Sequence, residues 1–506
     1  MKLGKLLEGL PDYDLDGHRE LEIKGLGYDS RRIQAGDMFV AIRGYSQNGH
    51  DYLNDAIRNG AVALVAEEFR ESYGGASKIL VPDSREALSK LATRFYENPC
   101  SEVELIGITG TNGKTTTSYI IESILSAAGA RPGVIGTINS RFQGKSRPSP
   151  VTTPESLDLM RLIREMKDEG ATHVVMEVSS HALDQGRTAG CPFRVALFTN
   201  FTRDHLDYHN TMEKYFSAKA CLFRALQENG RKGVAVINMD DPRGEELASI
   251  CDTEVLTYGL DRKWDFSADS ISTDRTGLKA RLITPYGNAE ISSSLIGRIN
   301  LYNILAATAA ASSLGIDLDR IVEGIKSLRT VPGRLELVEN KKGLTVVVDY
   351  AHTPDALLKA QETLRPLTEG RLITLFGCGG DRDKGKRYEM GLVAGENSDI
   401  VIITSDNPRS EDPESIVRQI EKGVQSSGLT MAEWSTSIGL KEPAYFIEVD
   451  RHRAIEKAIS MANKKDLVLI AGKGHEDYQI IGQGKRFFDD RKEVARAAGN
   501  TLIIEH

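Results

Sequence analysis

The sequence predicts an α/β protein of several domains whose sheets are mainly parallel. Apolar runs such as "VELIGITG" and "THVVMEVSS" alternate with helix-like stretches such as "SYIIESILSAAG". Strands that alternate with helices pair in parallel through βαβ units. The chain has 506 residues, which is too many for one hydrophobic core, so we expect more than one such sheet.

The composition is that of a water-soluble globular protein. Hydrophobic residues make up 40% and charged residues 27% of the chain. The net charge of −8 argues against a general nucleic-acid binder. The five cysteines form no C-x-x-C pair, which fits a reducing compartment better than a disulfide framework or a zinc site. The chain has neither a signal-peptide core nor a long apolar run, so we expect a cytoplasmic protein without membrane insertion.

Two composition changes divide the chain into three blocks, 1–99, 100–331 and 332–506. Pro99 in "ENPCSEVE" disfavours continuation of the helix before it, and "RTVPGRLELVE" marks the second boundary. The first block contains three short strand-like runs, "GDMFVAIRG", "AVALVAEE" and "KILVPDS". In the second block, "GRINLYNILAATAAASSLG" predicts an Ala-rich helix that ends at Gly315. The third block has four apolar runs, each followed by Gly, Asp, His or Arg.

The stretch "GITGTNGKTTT" predicts a phosphate-binding loop between a strand and a helix. The common pattern places a glycine at position 108, where Ile108 stands. Gly110 and Gly113 still let backbone amides approach an anion. Lys114 supplies positive charge to phosphates, and the hydroxyl of Thr115 suits Mg²⁺. The alternative is a simple glycine turn, which the Gly-Lys-Thr sequence after an apolar strand disfavours.

Three further residues of the second block are candidates for the same site. Glu177 ends an apolar strand, where an unpaired carboxylate is costly unless a cation such as Mg²⁺ neutralises it. His205 lies among polar residues, but no Glu follows it, so the zinc motif H-E-x-x-H is absent. Lys219 lies on a mostly apolar helix. From the residues alone, an ammonium that reaches solvent is favoured over a buried, chemically modifiable lysine.

Two polar loops of the third block suit an amino acid. "GGDRDKGKR" clusters basic residues that include Arg382, and "SDNPRSEDP" places Asp406, Asn407 and Arg409 around Pro408. Arginine binds carboxylates through two hydrogen bonds, and the acidic groups suit an ammonium. In open α/β sheets, ligands bind beyond the carboxyl ends of the strands. Solvated charged loops are the alternative.

Taken together, these motifs resemble the Mur ligases, the ATP-dependent amino-acid ligases of peptidoglycan synthesis. The resemblance extends over nearly the whole chain and includes the shortened phosphate loop. In chain order the motifs are "TGTNGKTT", "TTP", "MEVSSHALDQGR", "TNFTRDHLDYH", "YFSAKA", "GRINLYN", "PGRLE", "DYAHTPDAL", "GCGGDRDKGKR", "DNPR" and "AGKGHEDYQ".

The resemblance implies a UDP-binding N-terminal domain (1–99), a central P-loop ATPase domain (100–331) and a Rossmann-like domain (332–506) that receives the amino acid. Lys114, Glu177, His205 and Lys219 would be catalytic, with Lys219 carried as a carbamate derived from CO₂. Thr115, Glu177, His205 and the carbamate would hold Mg²⁺. ATP would contact Gly110, Thr111, Asn112, Gly113, Lys114, Thr115, Thr116, Asn300, Arg334, Asp349 and His352. The UDP-linked substrate would contact Ser30, Tyr45, Ser46, Gln47, Thr152, Thr153, Ser179, Gln185 and Arg187. The amino acid would contact Arg382, Asp406, Asn407, Pro408, Arg409, Gly472 and Glu476.

The implied reaction joins meso-diaminopimelate to a UDP-muramoyl dipeptide with ATP and Mg²⁺. "DNPR" is the family's pattern for meso-diaminopimelate, whereas lysine-adding relatives usually lack the arginine. The alternatives are a lysine-adding ligase, a folylpolyglutamate synthetase-like enzyme, and a nucleotide-binding switch without ligase activity. A monomer that binds small molecules only is expected.

Overall fold

The computed structural model describes residues 1–44, 47–70, 73–226, 232–437, 440 and 442–499. These residues form five sheets, of five, eight, three, seven and two strands. The three largest sheets are mainly parallel, which confirms the predicted α/β class. Across these ranges, no helix is both long enough and apolar enough to cross a membrane.

The first sheet contains the three strands predicted in the first block. Its order is β1-β5-β4-β3-β2, and only β1 runs antiparallel to its neighbour. The last helix of the block is capped by the Asp83 carboxylate and ends before Pro99, as predicted. The strands are β1 Asp14–Asp16, β2 Gly25–Gly27, β3 Asp37–Val40, β4 Ala63–Ala66 and β5 Ser77–Leu80, and the helices are α1 Leu3–Leu7, α2 Leu53–Arg58 and α3 Ser84–Phe95.

The second sheet has eight strands in the order β13-β12-β11-β6-β10-β7-β8-β9. Only the pairs β7–β8 and β8–β9 are antiparallel. Leu105 and Ile106 of β6 belong to the cores on opposite faces, so both faces of the sheet are covered. The strands are β6 Glu104–Thr109, β7 Pro132–Ile135, β8 Asn139–Phe142, β9 Lys145–Pro148, β10 His173–Glu177, β11 Phe193–Phe198, β12 Val234–Asn238 and β13 Glu254–Tyr258.

Helices cover both faces of this sheet. The Ala-rich helix is buried along most of its length, and Gly315 follows it with a left-handed φ of 79°, as predicted. The helices are α4 Lys114–Ala127, α5 Ser156–Asp168, α6 Ser180–Asp184, α7 Leu206–His209, α8 Met212–Arg224, α9 Gly244–Ser249, α10 Arg298–Ser313 and α11 Leu318–Ser327.

A three-stranded antiparallel sheet follows, which the sequence analysis did not predict. Its strands carry many polar residues, and the outer part of the first strand is exposed, so no apolar run marks it. Arg275 in its first turn donates hydrogen bonds to the carbonyls of Leu367, Lys464 and Lys465, at the amino ends of strands of the next sheet. The strands are β14 Ser267–Asp274, β15 Gly277–Thr284 and β16 Gly287–Ser293.

The seven-stranded sheet has the order β17-β18-β23-β19-β20-β22-β21, with only β17 antiparallel. Four strands match the predicted apolar runs, and β17, β21 and β22 were missed. The strands are β17 Glu336–Leu337, β18 Thr345–Asp349, β19 Leu372–Phe376, β20 Ile400–Ile403, β21 Thr430–Met431, β22 Ala444–Ile447 and β23 Leu467–Ala471. The hairpin strands are β24 Tyr478–Ile481 and β25 Gly484–Phe487, and the helices are α12 Pro354–Leu364, α13 Gly385–Asn397, α14 Pro413–Ser426, α15 Arg451–Met461 and α16 Asp490–Ala497.

The carboxyl edges of the eight-stranded and seven-stranded sheets face each other. Asp355 at the start of α12 accepts hydrogen bonds from Asn112 Nδ2 (3.1 Å) and Thr202 Oγ1 (2.9 Å) across the gap. Arg334 Nη2 donates to Thr115 Oγ1 at 3.3 Å. The predicted polar loops of both sheets therefore border one cleft.

Candidate functional site

The phosphate-loop candidate connects β6 to α4 at the centre of the eight-stranded sheet. Gly113 has a left-handed φ of 86°, and a Cβ on Gly110 would collide with Thr199 Oγ1, so both positions require glycine. α4 begins at Lys114 directly after the turn, so its free N–H groups point into the loop. The glycine that the common motif places at 108 is unnecessary here, because Ile108 is a buried residue of β6.

Two lysines converge on one carbonyl of this loop. Lys114 Nζ and Lys219 Nζ each donate to Gly110 O at 2.8 Å. Lys219 is only 2% exposed, so the interpretation of its ammonium as reaching solvent is wrong. Burial, reinforced by the nearby Lys114 charge, lowers the pKa of Lys219 well below its usual value. Burial also lowers the pKa of Lys114.

Glu177 lies at the end of β10 beside the phosphate loop and is 1% exposed. Its Oε2 accepts hydrogen bonds from Thr115 Oγ1 (2.9 Å) and Thr137 Oγ1 (2.8 Å), and its Oε1 accepts one from Thr137 N (2.9 Å). Thr137 was not predicted, because it lies in a turn between β7 and β8 that carries no recognisable motif. Within the described residues, only neutral groups donate hydrogen bonds to this buried carboxylate, which favours a cation as its further partner.

His205 lies beside Asp204 at the start of α7, with a left-handed φ of 53°. Its Nε2 is 3.5 Å from Asp204 Oδ2. Burial lowers the pKa of His205 to about 4, so the imidazole is neutral at pH 7 and can act as a ligand. His209 packs inward instead, with Nε2 2.9 Å from Ser180 Oγ.

These residues fit Mg²⁺ in the way that nucleotide-binding proteins hold it. Thr115 and Glu177 supply hard oxygen donors within 2.9 Å of each other. Mg²⁺ commonly binds one or two protein oxygens and completes its coordination with phosphate and water. Over the part of the chain that the structure describes, no three His, Cys, Asp or Glu side chains are grouped as a metal site.

The residues assigned to the muramoyl substrate lie together beside Glu177. Thr153 Oγ1 donates to Glu177 O (2.9 Å) and accepts from Ser179 N (3.0 Å), and Thr152 Oγ1 lies 3.1 Å from Thr137 Oγ1.

Arg187 also contacts this group of residues assigned to the muramoyl substrate. It donates to Thr153 O at 2.9 Å and to Gln185 Oε1 through Nη2 at 2.7 Å. Glu155, which was not predicted, lies between this arginine and the first block. Its Oε2 accepts from Arg85 Nη1 (2.8 Å) and lies 3.6 Å from Arg187 Nε.

Of the residues assigned to UDP, Ser30 and Gln47 lie in the first block. Ser30 is buried, and its carbonyl accepts a hydrogen bond from Asn59 Nδ2. The carbonyl of Gln47 accepts one from Gly44 N. Tyr45 and Ser46 lie outside the described residues.

Asn300, the residue of α10 assigned to ATP, donates to Ile296 O just before the helix and accepts from Asn303 Nδ2. Asn303, which was not predicted, packs against the phosphate loop itself. Its Oδ1 accepts from Thr117 Oγ1 at 3.3 Å and would lie only 2.5 Å from a Cβ on Gly113. The neighbouring loop residues Thr111 and Thr116 are half-buried and buried, respectively.

Arg334 connects the two edges of the cleft. Besides Thr115, its guanidinium contacts His475 Nδ1 (3.4 Å) and stacks over Tyr350. Burial, followed by the charge of Arg334, lowers the pKa of His475 to about 3, so a neutral imidazole faces the guanidinium.

The other two residues assigned to ATP lie at the same edge: Asp349 ends β18, and His352 follows it. Asp349 accepts from Leu335 N and Ala351 N, and burial raises its pKa. His352 Nδ1 lies 2.8 Å from Tyr350 O.

The amino-acid candidates surround the ends of β20 and β23. Asn407 Nδ2 donates to Glu476 Oε2 at 2.9 Å, and a Cβ on Gly472 would lie 2.7 Å from Asp406 Oδ2. Arg409, after Pro408, has a left-handed φ of 52° and donates to Gly380 O at 2.7 Å. Arg382 is exposed nearby, with its Cγ 3.8 Å from the position of a Cβ on Gly379.

The unpredicted hairpin β24–β25 supports this loop. Ile480 N donates to Asn407 Oδ1, and Gln479 Nε2 donates to Asp406 O.

Comparison with known proteins gives a consistent result along the chain. Family models match in succession: "Mur ligase family, catalytic domain" over residues 22–96, "Mur ligase middle domain" over 108–311, and "Mur ligase, glutamate ligase domain" over 333–474. A curated relative from Geobacter metallireducens, UDP-N-acetylmuramoyl-L-alanyl-D-glutamate–2,6-diaminopimelate ligase, is 48% identical over 501 residues, 98% of each chain.

Solved structures show the same fold. A structure with that same enzyme name is 34% identical, has a TM-score of 0.68 and covers 98% of this chain and 99% of its own. Folylpolyglutamate synthase from Mycobacterium tuberculosis is 19% identical, with a TM-score of 0.62, and covers 76% of this chain and 92% of its own. At that identity, the second similarity concerns the fold alone.

Proposed function

The chain belongs to the Mur ligase family, and we propose that it joins meso-2,6-diaminopimelate to the D-glutamate γ-carboxylate of UDP-N-acetylmuramoyl-L-alanyl-D-glutamate, with ATP, in peptidoglycan synthesis. The observation that carries the proposal is the position of Arg334. Its guanidinium contacts Thr115 of the phosphate loop and His475 of the facing edge. This contact supports a reaction in which a phosphoryl donor and an amino acid meet in one cleft.

The proposed chemistry has two steps. An oxygen of the γ-carboxylate attacks the γ-phosphorus of ATP, and ADP leaves, which gives an acyl phosphate. The unprotonated amine of diaminopimelate then attacks the acyl carbon, a C–N bond forms through a tetrahedral intermediate, the nitrogen loses one proton, and phosphate leaves. Lys114 and the amides of residues 110–116 would neutralise charge on the phosphoryl oxygens.

The family uses ATP with Mg²⁺, which supplies positive charge to the phosphoryl oxygens. Thr115 and Glu177 would hold the metal beside the phosphates, with His205 and modified Lys219 on the substrate side. The hydrogen bond between Thr115 and Glu177 supports this assignment.

Lys219 would act as a carbamate. A neutral amine adds to CO₂, an N–C bond forms, and one amine proton leaves, which creates a carboxylate. The lowered pKa of Lys219 and its 2% exposure support the neutral amine that this step requires. Removal of its positive charge would also relieve the repulsion between two ammonium groups on Gly110 O.

We propose that blocks 1–99, 100–331 and 332–506 are three domains, because each large sheet takes all its strands from one block. The first would bind UDP through Ser30 and the loop that contains Gln47. Thr152, Thr153, Ser179, Gln185 and Arg187 would bind the muramoyl dipeptide.

Arg409 would select the amino acid. Its guanidinium would pair with the distal carboxylate of diaminopimelate, a group that lysine lacks. Arg382, Asp406, Asn407, Pro408, Gly472 and Glu476 would bind the rest of the zwitterion. The contact of Arg409 with Gly380 O supports a fixed guanidinium.

The test is an amino-acid panel with purified protein, ATP, Mg²⁺ and UDP-muramoyl-dipeptide. We expect phosphate release and a ligated product with meso-diaminopimelate, and very little with lysine or with a folate and glutamate. Comparable rates with lysine would overturn the specificity. Nucleotide binding without any ligated product by mass spectrometry would instead favour the nucleotide switch. The cytoplasmic location and the monomeric state remain predictions.

A further inference from the structure

A fully buried lysine lies next to the amino-acid loop and has no role in the scheme above. Lys473 follows β23, and its side chain is 0% exposed. Its Nζ lies 3.1 Å from Glu476 Oε2 and 3.2 Å from Asn407 Oδ1, and 5.5 Å from the centre of the Tyr478 ring. Two of these three neighbours belong to the proposed amino-acid site.

The position of the Lys473 ammonium determines which oxygen of Glu476 stays free to bind a ligand. A buried cation is costly unless hydrogen-bonded and paired. Glu476 Oε2 is occupied twice, by Lys473 Nζ and by Asn407 Nδ2. Within the described residues, no hydrogen bond reaches Glu476 Oε1. The glutamate therefore keeps one oxygen for a ligand.

The same ammonium fixes the orientation of the Asn407 amide. Asn407 Oδ1 accepts from Lys473 Nζ and from Ile480 N, so Nδ2 must face Glu476. Without the lysine, one of these two constraints on the amide is lost. The carboxylate of Glu476 would also lose its only ion-pair partner in the described part of the chain.

We propose that Lys473 is a positioning residue of the amino-acid site, which holds Asn407 and Glu476 so that Glu476 Oε1 accepts a hydrogen bond from an ammonium group of the incoming amino acid. The inference rests on the proposed function, because it concerns how the same site binds diaminopimelate. Lys473 would support the amino-acid site without itself contacting the ligand.

Arg451 is a second buried cation, and its contacts indicate a purely structural role. Arg451 pairs with Asp490, and both side chains are 0% exposed. Its remaining hydrogen bonds go to the backbone carbonyls of Ala471 and Ser405, so it connects two strand ends. Lys473 differs because its partners are side chains that border the site.

The test compares Lys473→Met with Lys457→Met. Lys457 also pairs with a glutamate, Glu448, and lies over an aromatic ring, that of Trp434, but it is on α15 outside the site. We expect Lys473→Met to raise KM for meso-diaminopimelate roughly 30-fold or more, as when one partner of a buried charge pair is removed. The KM values for ATP and for the UDP-linked substrate should stay near those of the wild type, and Lys457→Met should change none of the three.

Lys473→Gln is measured in parallel, because its amide keeps a donor for Asn407 or Glu476 without the charge. We expect a smaller rise in KM, and this variant carries the test if the methionine variant does not fold. If all three KM values rise together, or if KM for diaminopimelate stays at the wild-type value, the positioning role is overturned. If the wild type itself ligates no diaminopimelate, the proposed function fails instead.

Discussion

The edges of the eight-stranded and seven-stranded sheets hold their charges in opposite ways. At the first edge, Lys114, Lys219 and Glu177 are hydrogen-bonded to carbonyls, hydroxyls and amides, and none forms an ion pair among the described residues. At the second edge three buried cations are paired: Lys473 with Glu476, Arg387 with Glu411, and Arg451 with Asp490.

This difference separates two kinds of site. Unpaired buried charges are costly until a charged ligand arrives, so under the proposed function phosphates, a metal and a carbamate on Lys219 would neutralise the first edge. Paired charges are already satisfied, so the second edge keeps its shape without a ligand. We therefore expect substitutions at the first edge to affect catalysis most, and those at the second to affect selectivity or stability.

The largest effect is expected from Lys114→Ala. Removal of the charge that faces the phosphates should lower ligation on the order of 10³-fold. Product formation is measured by mass spectrometry, with Lys90→Ala as control, because Lys90 is an exposed lysine paired with Glu86 on α3. Retained turnover in Lys114→Ala would contradict the phosphate-loop assignment.

Next in size is Lys219→Ala, which removes the proposed carbamate. We expect kcat to fall on the order of 10²-fold. Added formate should restore part of the activity, because it returns a carboxylate to the emptied space. ¹³C NMR of protein equilibrated with labelled bicarbonate should show a carbamate signal in the wild type only. A variant that keeps full activity, or a wild type without the signal, would exclude the carbamate.

A smaller effect, confined to selectivity, is expected from Arg409→Ala. The loss of a partner for the distal carboxylate should lower kcat/KM for meso-diaminopimelate roughly 30-fold or more. The value for lysine should change little, so the measured quantity is the ratio of the two. An equal fall for both amino acids would show that Arg409 only supports the loop.

The smallest effect on turnover, but a large one on stability, is expected from Asp490→Asn. This change leaves Arg451 buried without its partner, which costs about 3–5 kcal/mol. Chemical denaturation gives the free energy of unfolding, and Glu414→Gln in an exposed pair with Arg418 is the control. An unchanged free energy of unfolding would mean that the second edge is not stabilised by its buried pairs.

Local sequence patterns were sufficient to predict the strands whose ends bear the site residues. β6, β10, β18 and β23 coincide with uninterrupted apolar runs, which buried parallel strands require. The sheet β14–β16 and the hairpin β24–β25 were missed, because their strands are short or largely polar and their pairing is not encoded by a contiguous run. Asn303 and Asp355 stood within quoted motifs, so a search of every polar position in those motifs would have found them.

The sequence by itself determined the fold class, the glycine-dependent loop, the order of the motifs and the family. These depend on residues that are close together along the chain, where apolar periodicity and backbone freedom act. Only the tertiary structure decided that Lys219 is buried on Gly110 O, 109 residues away, and that Lys473 donates hydrogen bonds to Asn407 and Glu476. Burial and charge pairing between distant segments depend on how sheets and loops pack. No local sequence pattern predicts that packing.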